Sequence, residues 1–86
     1  MTHALKTWKE FYEAVESGDK TFEVRRADRP FKVGDDLLLQ EWDKDKKEYT
    51  GRETKRRIIY ILQGDVKSFG LFADFCVMSI KEIENY

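Results

Sequence analysis

Residues 17–29 read SGDKTFEVRRADR, and the assignment of this stretch decides the fold. Ser17-Gly18 stops a helix, and residues 20–26 then read as a strand in which charge alternates with apolar bulk. Strand side chains change face at every residue, which sets Phe22 and Val24 on one side and Thr21, Glu23 and Arg25 on the other. The apolar pair is expected to face a core. The charged set is either the wet side of a small sheet or the lining of a site.

Upstream, TWKE at residues 7–10 has the form of a capping box, in which a Thr7 hydroxyl and a Glu10 carboxylate each satisfy a free backbone N–H. Leu5, Trp8, Phe11, Tyr12 and Val15 then share one face at helical spacing, and Gly18 supplies a left-handed cap. Trp8, Phe11 and Val15 are expected to pack on the sheet through Phe22, Val24, Leu37 and Leu39. Downstream, Pro30 and Gly34-Asp35 punctuate a loop and a turn. DLLLQEW at 36–42 starts apolar on both faces, as a central strand does. DKDKKEYTG at 43–51 reads as a hairpin tip, residues 52–62 as a strand, 63–73 as irregular, and DFCVMSI at 74–80 as a last strand. The tail KEIENY is too short to assign. One main N-terminal helix and about four or five mostly antiparallel strands predict an α+β domain built on a small curled barrel.

A chain of 86 residues makes one domain, residues 1–86, with one modest core. A net charge of −1 argues against tight, non-specific binding to nucleic acid or an acidic membrane, though not against a local patch. The one cysteine cannot form an internal disulfide, in keeping with a reducing compartment. No apolar stretch approaches the roughly 20 residues of a membrane helix, and no signal-peptide core opens the chain. A soluble cytoplasmic protein is expected.

Few residues can carry chemistry. His3 and Cys76 are the only soft metal ligands, two where a structural zinc site needs four, so no metal and no cofactor are expected. Cys76 lies in an apolar strand and reads as a small core residue. No phosphate loop or nucleophile elbow is present. The charged face of Glu23 and Arg25 remains, with Lys20 and Lys6 within reach if helix and strand pack together. Glu41 adds a second carboxylate, and Trp42, Tyr49 and Tyr60 offer stacking surfaces. KRR at 55–57, set opposite KDKK across a hairpin, is either a basic path for a backbone or a charged edge that blocks aggregation.

SGDKTFEVR has the form G-x-K-x-x-E-x-R, with Gly18, Lys20, Glu23 and Arg25 in the fixed places. It resembles the signature of the ASCH domains, a branch of the PUA-like superfamily. HALK at 3–6, the run from Phe11 to Asp43 and YTGRE at 49–53 resemble a small group there with an H-x-L-K opening, and the likeness runs from His3 to about Ile80. The resemblance implies a PUA-like barrel with a cleft between the first helix and the sheet. It also implies binding of RNA or nucleotides, with two enzymatic precedents: an amidohydrolase acting on N4-acetylcytidine, and a ribonuclease. Lys20 matches the catalytic lysine of that amidohydrolase, but its catalytic threonine falls on Glu23. Where similar chains have glycine before the last strand, this one has Asp74, and a loosened turn is expected there.

The combined expectation is a binding module for single-stranded RNA, a nucleotide or a modified nucleoside. Its cleft would be lined by His3, Lys6, Lys20, Thr21, Glu23, Arg25, Glu41 and Trp42, with Trp42 stacking a base. The alternative is a small hydrolase using Lys20 and Glu23 as an acid–base pair. A protein-interaction domain would instead show an exposed apolar patch, and none is clear in the sequence. The oligomeric state cannot be read.

Overall fold

The computed structural model describes residues 1–83. Residues 84–86, the end of the KEIENY tail, lie outside the described residues. In chain order the elements are β1 (Thr2–Trp8), α1 (Lys9–Glu16), β2 (Phe22–Arg26), β3 (Asp36–Asp43), β4 (Glu48–Gln63), α2 (Val66–Phe69) and β5 (Phe75–Glu82). The five strands form one mixed sheet in the order β1-β3-β4-β5-β2, with β1 parallel to β3 and the other neighbours antiparallel. Bulges between Gln40 and Trp42 and between Ile58 and Tyr60 shift the register, and such extra residues bend and twist a ladder. The sheet curls into a half-barrel, and Tyr12 and Val15 of α1 join Leu5, Leu37, Leu39, Ile58, Cys76, Met78 and Ile80 in its concave core.

β1 corrects the expected N-terminus. Residues 2–8 are a strand with His3, Leu5 and Thr7 turned inward, and α1 begins only at Lys9. No side chain caps α1, so the expected capping box does not form. The Thr7 hydroxyl donates to the Leu5 carbonyl instead. The far end matches expectation: Gly18 is left-handed at φ 87° and its N–H donates to the Val15 carbonyl.

The inward face of β2 is also the reverse of the apolar expectation. Phe22 and Val24 are 44% and 45% exposed, whereas Glu23 is only 3% exposed. Trp8 and Phe11 are likewise exposed, and of the residues expected in the helix–sheet contact only Val15, Leu37 and Leu39 are core. β2 is an edge strand, and among the described residues no second layer lies over its outer face, so its apolar side chains face outward. The inner side chains close the barrel mouth by pairing with one another.

The remaining differences are local. The hairpin tip is confined to residues 44–47, where Asp43 accepts from the N–H groups of Asp45 and Lys46, and β4 starts at Glu48. Within the expected irregular segment, Asp65 caps the single turn of α2 by accepting from the Lys67 N–H. Asp74 does not loosen its turn, since its carbonyl accepts from the Ala27 N–H at 2.7 Å.

Asp35 ties the start of β1 to the turn before β3. His3 Nε2 meets its carboxylate at 2.9 Å, the Lys32 N–H donates at 3.2 Å and the terminal ammonium lies at 3.3 Å. These contacts, the His3 hydrogen bond foremost, hold the Asp35 carboxyl below the ordinary value of 3.8. A carboxyl lowered in the folded state contributes stability that is complete above the unfolded value and lost as pH falls through the folded one. Thermal melting followed downward from pH 5 should therefore show a loss below about pH 4 that is smaller in Asp35→Asn. Equal acid sensitivity in both proteins would show that Asp35 is not the group responsible.

Candidate functional site

The two edges of the half-barrel, β1 and β2, do not pair with each other. Arginine side chains bridge them instead. Arg25 Nη2 donates to the Lys6 carbonyl at 2.9 Å and to Thr7 Oγ1 at 3.3 Å, and Arg29 Nη1 donates to the Ala4 carbonyl at 2.9 Å. Above this seam lies a groove of about 480 Å³. Trp8 and Phe11 form one wall, Phe22 and Val24 the other, and Glu23, Arg25 and Thr7 lie along the floor with Lys20 and Lys6 beside them.

Glu23 organises the floor. Lys20 Nζ donates to its Oε1 at 2.6 Å and Arg25 Nε to its Oε2 at 3.1 Å. Lys20 also caps the Phe22 carbonyl at 2.7 Å. A buried carboxylate is costly unless each oxygen has a donor, and here each has a cationic one. The three charges sum to one net positive, set beneath mostly apolar walls. Trp8 and Phe11 stand nearly parallel, 11° apart with centroids at 6.0 Å, and present a broad aromatic flank. The groove can take a flat apolar group and offer the one net positive charge of this network to whatever is attached to it, while the Lys6 ammonium, also at its edge, is turned onto the Trp42 ring.

The structure brings Lys20, Glu23, Arg25 and Lys6 to this groove and places the other expected site residues elsewhere. Thr21 is exposed just before β2, its carbonyl accepting from Ile80. His3 is at the opposite end of β1, bound to Asp35 and edge-on to Phe31 at 4.8 Å. Glu41 is register partner to Thr7 on β3 and lies behind the floor. It is buried, accepts from the Thr50 hydroxyl and has Arg52 Nη1 3.6 Å from its other oxygen. Trp42 is on the outer face of β3, its ring covered by the Lys6 ammonium at 3.8 Å and met edge-on by Tyr49 at 4.9 Å. The Lys6 ammonium thus occupies one face of that ring, as the Lys44 ammonium lies over Trp8 at 4.7 Å from its centroid. Trp8 and Phe11 hold the position expected of Trp42, and the expected helix had turned them toward the sheet.

The basic run at 55–57 does not form a path. Arg56 turns inward toward Thr54 and Glu16, Arg57 pairs with Asp36 at 3.1 Å, and the run lies opposite Asp36–Leu38 rather than opposite the hairpin tip. Cys76 is in the core, where burial pushes its thiol up and away from reactivity. Among the described residues, no cluster of three His, Cys, Asp or Glu side chains is placed to hold a metal ion, and no helix is long and apolar enough to cross a membrane.

The family model described as "Domain of unknown function (DUF3850)" matches residues 2–80. The chain belongs to the DUF3850 family. The matched span takes in all of β1 to β4 and both walls of the groove, so the seam is part of the family domain. The chain is also similar to the "Uncharacterized 12.9 kDa protein in GpA 3'region" of Escherichia phage P2, at 36% identity over 56 residues. That alignment covers 65% of this chain and 50% of the phage protein, so the chain spans about half the length of that relative.

Proposed function

We propose that this DUF3850 domain is a PUA-like module of the ASCH type whose seam groove binds a nucleobase, presented by a modified nucleoside or by single-stranded RNA. The observation that carries the reading is the Lys20–Glu23–Arg25 network beneath the aromatic flank of Trp8 and Phe11. Single-strand binders combine a stacking surface with a few charges in this way. The likeness of Gly18, Lys20, Glu23 and Arg25 to the G-x-K-x-x-E-x-R signature supports it. A volume of about 480 Å³ is within the range of small-ligand sites and suits one base with its sugar. Because Glu23 already engages both cations, phosphate contacts contribute little and the base contributes most.

The test is calorimetric titration with short single-stranded RNA and with a panel of modified nucleosides at several salt concentrations. RNA should bind weakly, with a logarithmic salt slope of about −1 or shallower, because one net charge releases few counterions. Trp8→Ala should weaken binding about tenfold with the slope unchanged, as loss of a stacked ring does. Arg25→Ala should weaken it and flatten the slope. Absence of binding by every RNA and nucleoside at low salt would overturn the proposal.

The 2.6 Å contact of Lys20 with Glu23 favours one second reading, a hydrolase in which this pair moves a proton. Consumption of N4-acetylcytidine or RNA that stops in Lys20→Ala would replace binding by catalysis. Binding without turnover is expected, because Glu23 stands where the amidohydrolase has threonine.

A further inference from the structure

We propose that the convex face of β2, β5 and β4 is the contact surface between two copies of this chain. Strand register places Phe22, Ser79 and Tyr60 in one row on this face and Val24, Val77 and Leu62 in the next. Arg26 and Phe75 follow, with the Phe72 ring 6.5 Å from that of Phe75. The alternate residues Glu23 and Met78 turn into the barrel and are buried, so the rows lie on the outer face, where Phe22 and Val24 also bound the groove. Among the described residues no element is layered over these rows: Tyr60 is 61% exposed, Leu62 38% and Phe72 67%, while Val77, Ser79 and Phe75 are half-buried between their neighbours.

The area and the charges select the occupant. With large aromatic side chains offering about 150–250 Å² each, these rows expose roughly 500 Å² of contiguous surface, at the upper end of what a monomer shows. Two such faces bury about 1,000 Å², the lower bound of a specific interface, so the association is concentration-dependent rather than obligate. The two central rows carry no charge. At one rim Arg26 and Asp74 supply one charge of each sign 3.7 Å apart, and at the other Lys81 lies beside Arg57, which pairs with Asp36 at 3.1 Å. A two-fold contact brings the same patch against itself, and a rim holding both signs lets each charge of one copy meet its opposite in the other. A net charge of −1 adds little repulsion between copies. The uncharged rows offer nothing to a phosphate backbone, and twisted sheets pack face to face as a matter of course.

Phe22 and Val24 also wall the groove, so the test variants are Tyr60→Asp and Leu62→Asp on β4, which do not line it. Sedimentation equilibrium over concentrations from about 5 μM to 1 mM should show the mass rising from 10.3 kDa toward twice that value. Each variant should raise the dissociation constant at least tenfold while its melting temperature at dilution stays that of the unaltered chain. Independently of any variant, amide signals of Leu62, Val77 and Ser79 in the unaltered chain should shift with concentration while those of Ala4 and Leu5 do not. A chain that stays at 10.3 kDa throughout, whether or not another protein covers the face, would overturn the proposal. So would a dimer that both variants leave intact, or one whose shifting signals lie on β1.

Discussion

Leu39→Ala should lower folding stability by about 3–4 kcal/mol, whereas Phe11→Ala should cost about 1 kcal/mol or less. Leu39 is fully buried on the interior strand β3, between the parallel partner Leu5 and the antiparallel partner Thr54. Its removal leaves a cavity that neither neighbour can fill, because both are held in the ladder. Phe11 points from the exposed side of α1 into the groove, where water already reaches it. Reading the helix from its apolar spacing alone ranks Phe11 among the largest losses, so this pair tests the placement of α1. In a domain of this size the Leu39 loss lowers the melting temperature by roughly 15–30 °C. Comparable losses at the two positions in chemical denaturation would refute the arrangement of α1 on the sheet.

Glu23→Ala should be nearly as damaging, by about 2–4 kcal/mol, because it strands two cations at the mouth of the barrel. Lys20 and Arg25 keep some access to water, which holds the loss below that of a wholly enclosed pair. Glu23→Gln keeps the shape but removes the charge that attracts both donors, and should fall between the alanine variant and the unaltered chain. Replacing the network together, as Lys20→Met with Glu23→Leu and Arg25→Met, should recover part of the stability, since hydrophobic replacement of a buried ionic group is often neutral while the Arg25 bridge to the Lys6 carbonyl and the Thr7 hydroxyl is lost. The same triple variant should lose nucleoside and RNA binding. Stability and binding that recover together would show that the network serves the fold and not the groove. Measuring both in each variant separates the two roles.

Much of this architecture was legible in the sequence where a residue type has one cheap conformation. Gly18 ends α1 because a left-handed residue is needed there, and the Leu-rich start of β3 marks it as an interior strand, which it is, although only its Leu37 and Leu39 face is fully buried. β1 was hidden because two of its three inward residues, His3 and Thr7, are polar, which masks alternation, while Leu5 satisfies helical and strand spacing equally. Its strand state comes from parallel pairing with β3, more than 30 residues away, and no local signal reports a distant partner.

For the candidate site, the alternation in residues 20–26 determined that Glu23 and Arg25 share a face, and their spacing with Lys20 determined that the three can meet. The sequence alone also determined the number of cations available and the scarcity of metal ligands and nucleophiles. Which face of β2 turns inward was decided only by the tertiary structure. An apolar row is buried only where another layer covers it, and β2, as the last strand of a curled five-stranded sheet, has none among the described residues. The tertiary structure likewise chose Trp8 and Phe11 over Trp42 as the aromatic flank, by ending β1 at the seam and seating Lys6 on the Trp42 ring. The groove exists because the sheet curls far enough to bring its two edges within reach of an arginine side chain but not of a backbone hydrogen bond.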